Sequence, residues 1–286
     1  MSSASSGSGI GATPTAMLSS TDLPTLAAVS ALAYVVAVAL HEHGGHAAAC
    51  ALLGSHPKEM GAFYVECDNA QLSGLRIRMV ALAGPLASLA TGTVALALLH
   101  IRSPRSNIAY YFTWLLGCLG LMSAAGYPLF SGVSGLGDLG TTQDGALFEV
   151  APEGAWRVAL VIVGIAAYYY VVRIMCRAIE PMAGAPGGVG ARVARRATLA
   201  SYIAGAVVYL AIGALNPMGW TIVLLSVLPS SLGATSGLLW MWRTYARHQR
   251  GIAVRGFGLP RSWMWIGISV LGILAYAFVF GPTLRD

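Results

Sequence analysis

The chain has 286 residues, of which 56% are hydrophobic and only 10% charged. A soluble domain carries roughly 25% charged residues, so this composition excludes an ordinary soluble enzyme and implies a multi-pass integral membrane protein. The net charge of +6, from 17 basic and 11 acidic residues, calls for no nucleic acid, because the arginines fall between apolar segments, where the positive-inside effect places them.

Residues 1–22 are rich in Ser, Gly, Ala and Thr and hold no Lys or Arg. They lack the basic start of a signal peptide and read as a disordered tail. About 20 apolar residues cross a bilayer as a helix, and seven segments meet that length. The first runs from about Leu23 to Leu53; the others cover roughly 78–100, 108–130, 155–177, 198–215, 218–241 and 263–281. The fifth and sixth divide at Asn216-Pro217, where proline removes a backbone donor and favours a tight turn. Pro229-Ser230-Ser231 is a further helix interruption.

Between the first two spans, Ala62–Cys67 and Leu72–Arg78 flank Asp68-Asn69-Ala70. Partial alternation around turn chemistry predicts a β-hairpin within 58–78. Gly184–Gly190 reads as a flexible connection. The fold class is therefore an all-α polytopic membrane protein of about seven transmembrane helices, with a small β-hairpin between the first and second.

The four cysteines, Cys50, Cys67, Cys118 and Cys176, form no CxxC pair. That argues against a disulfide framework or a thiolate zinc site and for buried, inert thiols. Arginine counting orients the chain. Arg102 and Arg105, then Arg173 to Arg196, then Arg243 to Arg261 occupy three loops that share one side, which should be cytoplasmic. The 131–153 loop holds Asp138, Asp144, Glu149 and Glu153 without a basic residue and falls on the other side, toward which the first span also ends.

Near that end stands His41-Glu42-His43-Gly44-Gly45-His46, which gathers half of the six histidines. Ionisable groups at membrane depth cost several kcal/mol and mark functional sites by default. Imidazoles beside a carboxylate suit metal-assisted hydrolysis, in which the metal acidifies water and the carboxylate, here Glu42, moves its proton. The usual helical arrangement is HExxH; here the spacing is HExxxH. Five residues are about 140° around a regular α-helix, which keeps His41 and His46 apart. Either a π-bulge at Gly44-Gly45 makes them neighbours, or His43 and His46 form the pair. A third ligand must come from elsewhere. His56, His100 and His248 look solvated. Asp138 follows the third span, whose C-terminal end shares a face with that of the first, and Pro128 with the nearby glycines would let that span unwind there.

These features resemble the site-2 protease family of intramembrane zinc metalloproteases. His41-Glu42 through His46 is similar to its zinc helix. The expected hairpin follows, then Ala83-Gly84-Pro85-Leu86-Ala87-Ser88 opening the second helix, then Gly137-Asp138. The resemblance covers roughly 23–145, as a protease-like catalytic core; 146–286 adds helices of unknown role. The family's Asn-Pro before the aspartate is missing. The resemblance implies a Zn2+ cofactor, His41, His46 and Asp138 as ligands (with His43 as the alternative), Glu42 as general base, and a bend at Gly84-Pro85. It implies a metalloendopeptidase whose substrate is a membrane protein with a transmembrane helix, cleaved within the lipid bilayer; substrate-binding residues stay unassigned. The competing reading is a catalytically degenerate scaffold that binds membrane partners without metal. The box also resembles an element of membrane desaturases, but the three remaining histidines are isolated. A transporter should show paired broken helices, and no matching pair is present.

Overall fold

The computed structural model describes residues 21–183, 188–247 and 258–285. Most of the expected tail, residues 184–187 of the Gly184–Gly190 connection, and His248 lie outside them. Among the described residues, seven helices are long and apolar enough to cross a membrane: α1 Leu23–Leu52, α2 Gly74–Ile101, α3 Asn107–Ser134, α4 Glu153–Ala178, α5 Gly188–Gly213, α6 Trp220–Arg247 and α7 Trp263–Phe280. By length and composition these helices are consistent with a multi-pass membrane protein. Asp22, at the edge of the expected tail, belongs to the fold. Its carboxylate accepts from the Thr25 backbone at the start of α1 and pairs with Arg261, and the Thr25 amide and the arginine hold its pKa below the usual carboxylate value.

α3 is the most enclosed span and packs on α1, α2 and α4. Where α2 and α3 cross, a Cβ on Gly120 would lie 2.7 Å from the Gly92 nitrogen, so small residues set the approach. Hydroxyls join α1, α3 and α5. Tyr111 bonds Ser30 at 2.6 Å and also Ser201, while Tyr209 donates to the Tyr34 carbonyl at 2.7 Å. In lipid, where apolar contact gives no net preference between helices, such bonds select partners. α4 and α7 lie at the periphery and leave Ile162, Ile165, Leu271 and Phe278 exposed, as a surface facing acyl chains should.

The hairpin exists, and one strand falls inside the expected Ala62–Cys67 arm, but its partner precedes that arm instead of following it. β1 Pro57–Met60 pairs antiparallel with β2 Val65–Cys67, and the turn closes through the Gly61 amide and Tyr64 carbonyl at 2.9 Å. Asp68-Asn69-Ala70 is not its turn. Asp68 caps a short 3-10 turn, and Gly74 then begins α2. The alternating Leu75-Arg76-Ile77-Arg78 is helical. Its arginines reach backbone carbonyls of Leu53 and Phe148, which lets the apolar positions between them join the span. Consequently Gly84-Pro85 lies inside α2 and does not open it. A third strand, β3 Leu284–Arg285, pairs with β1, giving the order β2-β1-β3 with an Arg285–Glu59 ion pair at 3.0 Å.

Two further expectations are corrected. Cys50 and Cys67 form a disulfide between α1 and β2, while Cys118 and Cys176 are free and buried. The hairpin folds back on the end of α1, a proximity that sequence spacing does not reveal. α3 also does not unwind at Pro128; it stays helical to Ser134 and stops at Gly135, whose φ of 78° makes a left-handed cap. The Asn216 turn is as expected, since its side-chain oxygen accepts from the Met218 amide at 2.9 Å. α5 already runs at Gly188, inside the expected connection.

Candidate metal centre

α1 changes register at the histidine cluster. Leu23–His41 is α-helical, Glu42–Ala47 is a π-helical turn, and Ala48–Leu52 resumes the α-helix. A π turn makes residues i and i+5 neighbours, and the His41 and His46 rings accordingly meet with centroids 5.0 Å apart. His41, Glu42 and His46 are all buried. His43 points elsewhere, stacking on Phe280 of α7 at 4.0 Å and lying near Tyr276; it does not join the cluster. His56 and His100 are exposed.

The wide turn is possible because α2 presses on it without side chains. A Cβ on Gly45 would lie 2.7 Å from the Gly84 Cα, and a Cβ on Gly84 would collide with Nε2 of both His46 and His41. The glycines at 45 and 84 thus let two backbones touch and keep the space between the rings open.

Asp138 enters from the loop after α3. Gly135 and Gly137, each with φ of 78°, turn the chain back over the helix end. Asp138 Oδ2 then stands 3.2 Å from His41 Nε2 and 3.3 Å from His46 Nε2. The side chain keeps about a fifth of its exposure, while Oδ2 itself is buried and makes no well-formed hydrogen bond. Burial alone would raise the carboxyl pKa; the imidazoles of His46 and His41 outweigh it and hold the group below the ordinary carboxylate value.

The outward ring nitrogens are committed. His46 Nδ1 donates to the Val80 carbonyl at 2.8 Å, and His41 Nδ1 bonds Ser88 Oγ at 2.9 Å. A carbonyl can only accept, so Nδ1 of His46 carries a proton, and Nε2 is left to share either a proton with Asp138 or its lone pair with a cation. This is how metal-binding histidines are oriented. One ligand atom from each of His41, His46 and Asp138 lies within 4.8 Å of the others, so the group could hold a metal ion. Two imidazole nitrogens and one carboxylate oxygen fit zinc with a position left open. The buried Asp138 Oδ2, facing two Nε2 atoms at 3.2 and 3.3 Å without a well-formed hydrogen bond, is the feature that fits a cation.

A cavity of about 950 Å³ opens beside the cluster. Glu42, His46 and Asp138 form one wall, and Phe63 to Cys67 of the hairpin form a second. Leu225, Ser226 and Pro229 of α6 form a third, where α6 is π-helical over Val223–Val227 and Pro229–Gly233. Ser226 Oγ donates to the Phe63 carbonyl at 2.9 Å and joins two walls. A helix outside the segment that carries the motifs therefore shapes this cavity. Sequence reasoning also missed Tyr127 of α3, whose ring stacks on His41 at 4.9 Å and whose hydroxyl lies 2.9 Å from Nε2. It missed Ser88 as well. Tyr127 precedes the flagged Pro128 by one residue, and Ser88 ends the Gly-Pro segment, but only helix rotation brings them to the histidines. No protein-family model matches the chain, and no curated protein or solved structure matches it significantly.

Proposed function

We propose that the protein is an intramembrane zinc metalloprotease that hydrolyses peptide bonds within or beside transmembrane segments of other membrane proteins. The observation that carries this reading is the buried His41–His46–Asp138 group with Glu42 beside it, opening on a cavity inside a bundle of apolar spans.

In the proposed reaction His41 and His46 present their Nε2 lone pairs, held in that role by Ser88 and Val80, and Asp138 contributes a negative charge. These residues would hold a zinc ion, which would supply Lewis-acid chemistry, polarising a carbonyl and acidifying water. Glu42 takes the proton of the attacking water and returns it to the leaving amide nitrogen. A helix in lipid has its amides paired internally, so the substrate must unwind before it is cut. β2 is an edge of the sheet, and Val65, Glu66 and Cys67 border the cavity. An extended substrate segment could pair there strand to strand.

The test is metal analysis of purified wild type, His46→Ala, Glu42→Ala and Asp138→Ala, beside cleavage of a reporter carrying one transmembrane helix. The proposal expects stoichiometric zinc in wild type and Glu42→Ala, loss of zinc in the other two, and cleavage by wild type alone. A folded wild type that takes up no zinc would leave a partner-binding scaffold in its place.

A further inference from the structure

The proposed site lacks an assigned hydrogen-bond donor. Glu42 and Asp138, as carboxylates, only accept. The N–H of His46 is spent on the Val80 carbonyl, and His41 Nδ1 is engaged by Ser88. Amide hydrolysis puts negative charge on the carbonyl oxygen, and a donor aimed at that oxygen is among the largest contributions a site can make.

Tyr127 has the geometry for it. Its ring lies parallel to His41, centroids 4.9 Å apart and planes within 11°, so the side chain is fixed relative to a metal-binding residue. Its hydroxyl is 2.9 Å from His41 Nε2, the nitrogen that faces Asp138. The residue is only partly buried and lines the same cavity as Glu42, His46 and Asp138. The hydroxyl shares a hydrogen bond with Nε2 whose direction follows the His41 tautomer, and it also faces the Asp138 carboxylate. A cation held by His41 and Asp138 would occupy both of these acceptors and leave the phenol proton to a third oxygen, beside the space where a peptide carbonyl would meet the metal.

We propose that the Tyr127 hydroxyl is the donor that stabilises the scissile carbonyl oxygen as charge gathers on it. The phenol keeps its proton throughout; it forms a hydrogen bond and transfers nothing. This role rests on the metal-centre reading above and deepens it.

The test uses full-length protein in detergent, stripped of metal and reloaded with Co2+, comparing wild type with Tyr127→Phe. Phenylalanine keeps the ring against His41 and removes only the hydroxyl. Acetohydroxamic acid, which brings a metal-seeking carbonyl oxygen, is titrated against the cobalt d–d absorption, with azide as a probe that presents no such oxygen. The proposal expects equal Co2+ affinity and resting spectra. It expects hydroxamate binding weakened on the order of tenfold in Tyr127→Phe, the loss of one hydrogen bond to a charged acceptor, and azide binding unchanged. Equal hydroxamate affinity in the two proteins would overturn the role of Tyr127 and leave the metal centre standing. A changed resting spectrum or weakened Co2+ binding would overturn it in favour of Tyr127 as a ligand or a support for Asp138. A folded wild type that binds no Co2+ would remove both the metal-centre reading and this role.

Discussion

α1 and α6 both leave α-helical register where they border the cavity, and the two breaks are chemically unlike. In α1 the turn Glu42–Ala47 rotates His46 onto His41 and sets Glu42 at the cavity wall. In α6 the turns hold Ser226 and Ser230, whose hydroxyls go to backbone carbonyls, Ser226 to Phe63 across the cavity and Ser230 to Ser226 and Val227 of its own helix. The wide turn only redirects side chains; whether a site results depends on which residues it redirects and what lies against it. α1 meets bare glycine backbone in α2, whereas nothing lies within 4 Å of a Cβ built on Gly233 of α6.

The comparison is sharpest at Glu42. Glu42→Gln should lower reporter cleavage by about 10³-fold with zinc retained, the usual size of a lost general base; cleavage rates beside zinc content measure it. Ser230→Ala, at the corresponding break in α6, should leave both within about twofold, because it removes only a bond from a serine to its own helix.

The next largest effect belongs to the glycine facing the rings. Gly84→Ala puts a methyl group where the two Nε2 atoms converge, and zinc affinity should fall on the order of 100-fold in competition with a chelator. Gly233→Ala should leave zinc binding unchanged and shift thermal stability by less than about 1 kcal/mol, toward stabilisation if anything, since alanine is the better helix former. An equal loss at both positions would break the contrast.

A smaller loss is expected at Ser88, which holds His41 without touching the proposed cation. Ser88→Ala should weaken zinc binding about tenfold, at the low end for a supporting hydrogen bond to a metal-binding histidine. Restoration by Ser88→Thr would show that the hydroxyl, and not the packing, matters.

The spans were readable because about 20 apolar residues in lipid admit few structures other than a helix. The π turn could be anticipated as one of two arrangements, since HExxxH on a regular helix separates the rings and Gly44-Gly45 loosens it. The parity of the spans put Asp138 on the same face as the histidines. The contacts between helices were not readable. A membrane helix is apolar on every side, so hydropathy carries no rotational phase, and nothing at Tyr127, Ser88 or Val80 announces that it faces α1. The partner of the Val65–Cys67 strand was misplaced because Pro57-Lys58-Glu59 has poor strand propensity, while Leu72–Arg78 alternates and is helical from Gly74. β3, two residues near the far end of the chain, offers no local pattern at all.

The cystine between Cys50 and Cys67 ties the end of α1 to the edge strand. Such bridges persist where glutathione does not reduce them, outside the cytosol. The acidic 131–153 loop shares that face, and Arg102, Arg105, Arg192, Arg195 and Arg196 lie on the opposite one, so oxidation chemistry and charge asymmetry agree on direction. If the proposed function holds, the scissile bond would be drawn from the non-cytosolic leaflet. The product would be an ectodomain shed from its anchor, with the stump left in the membrane.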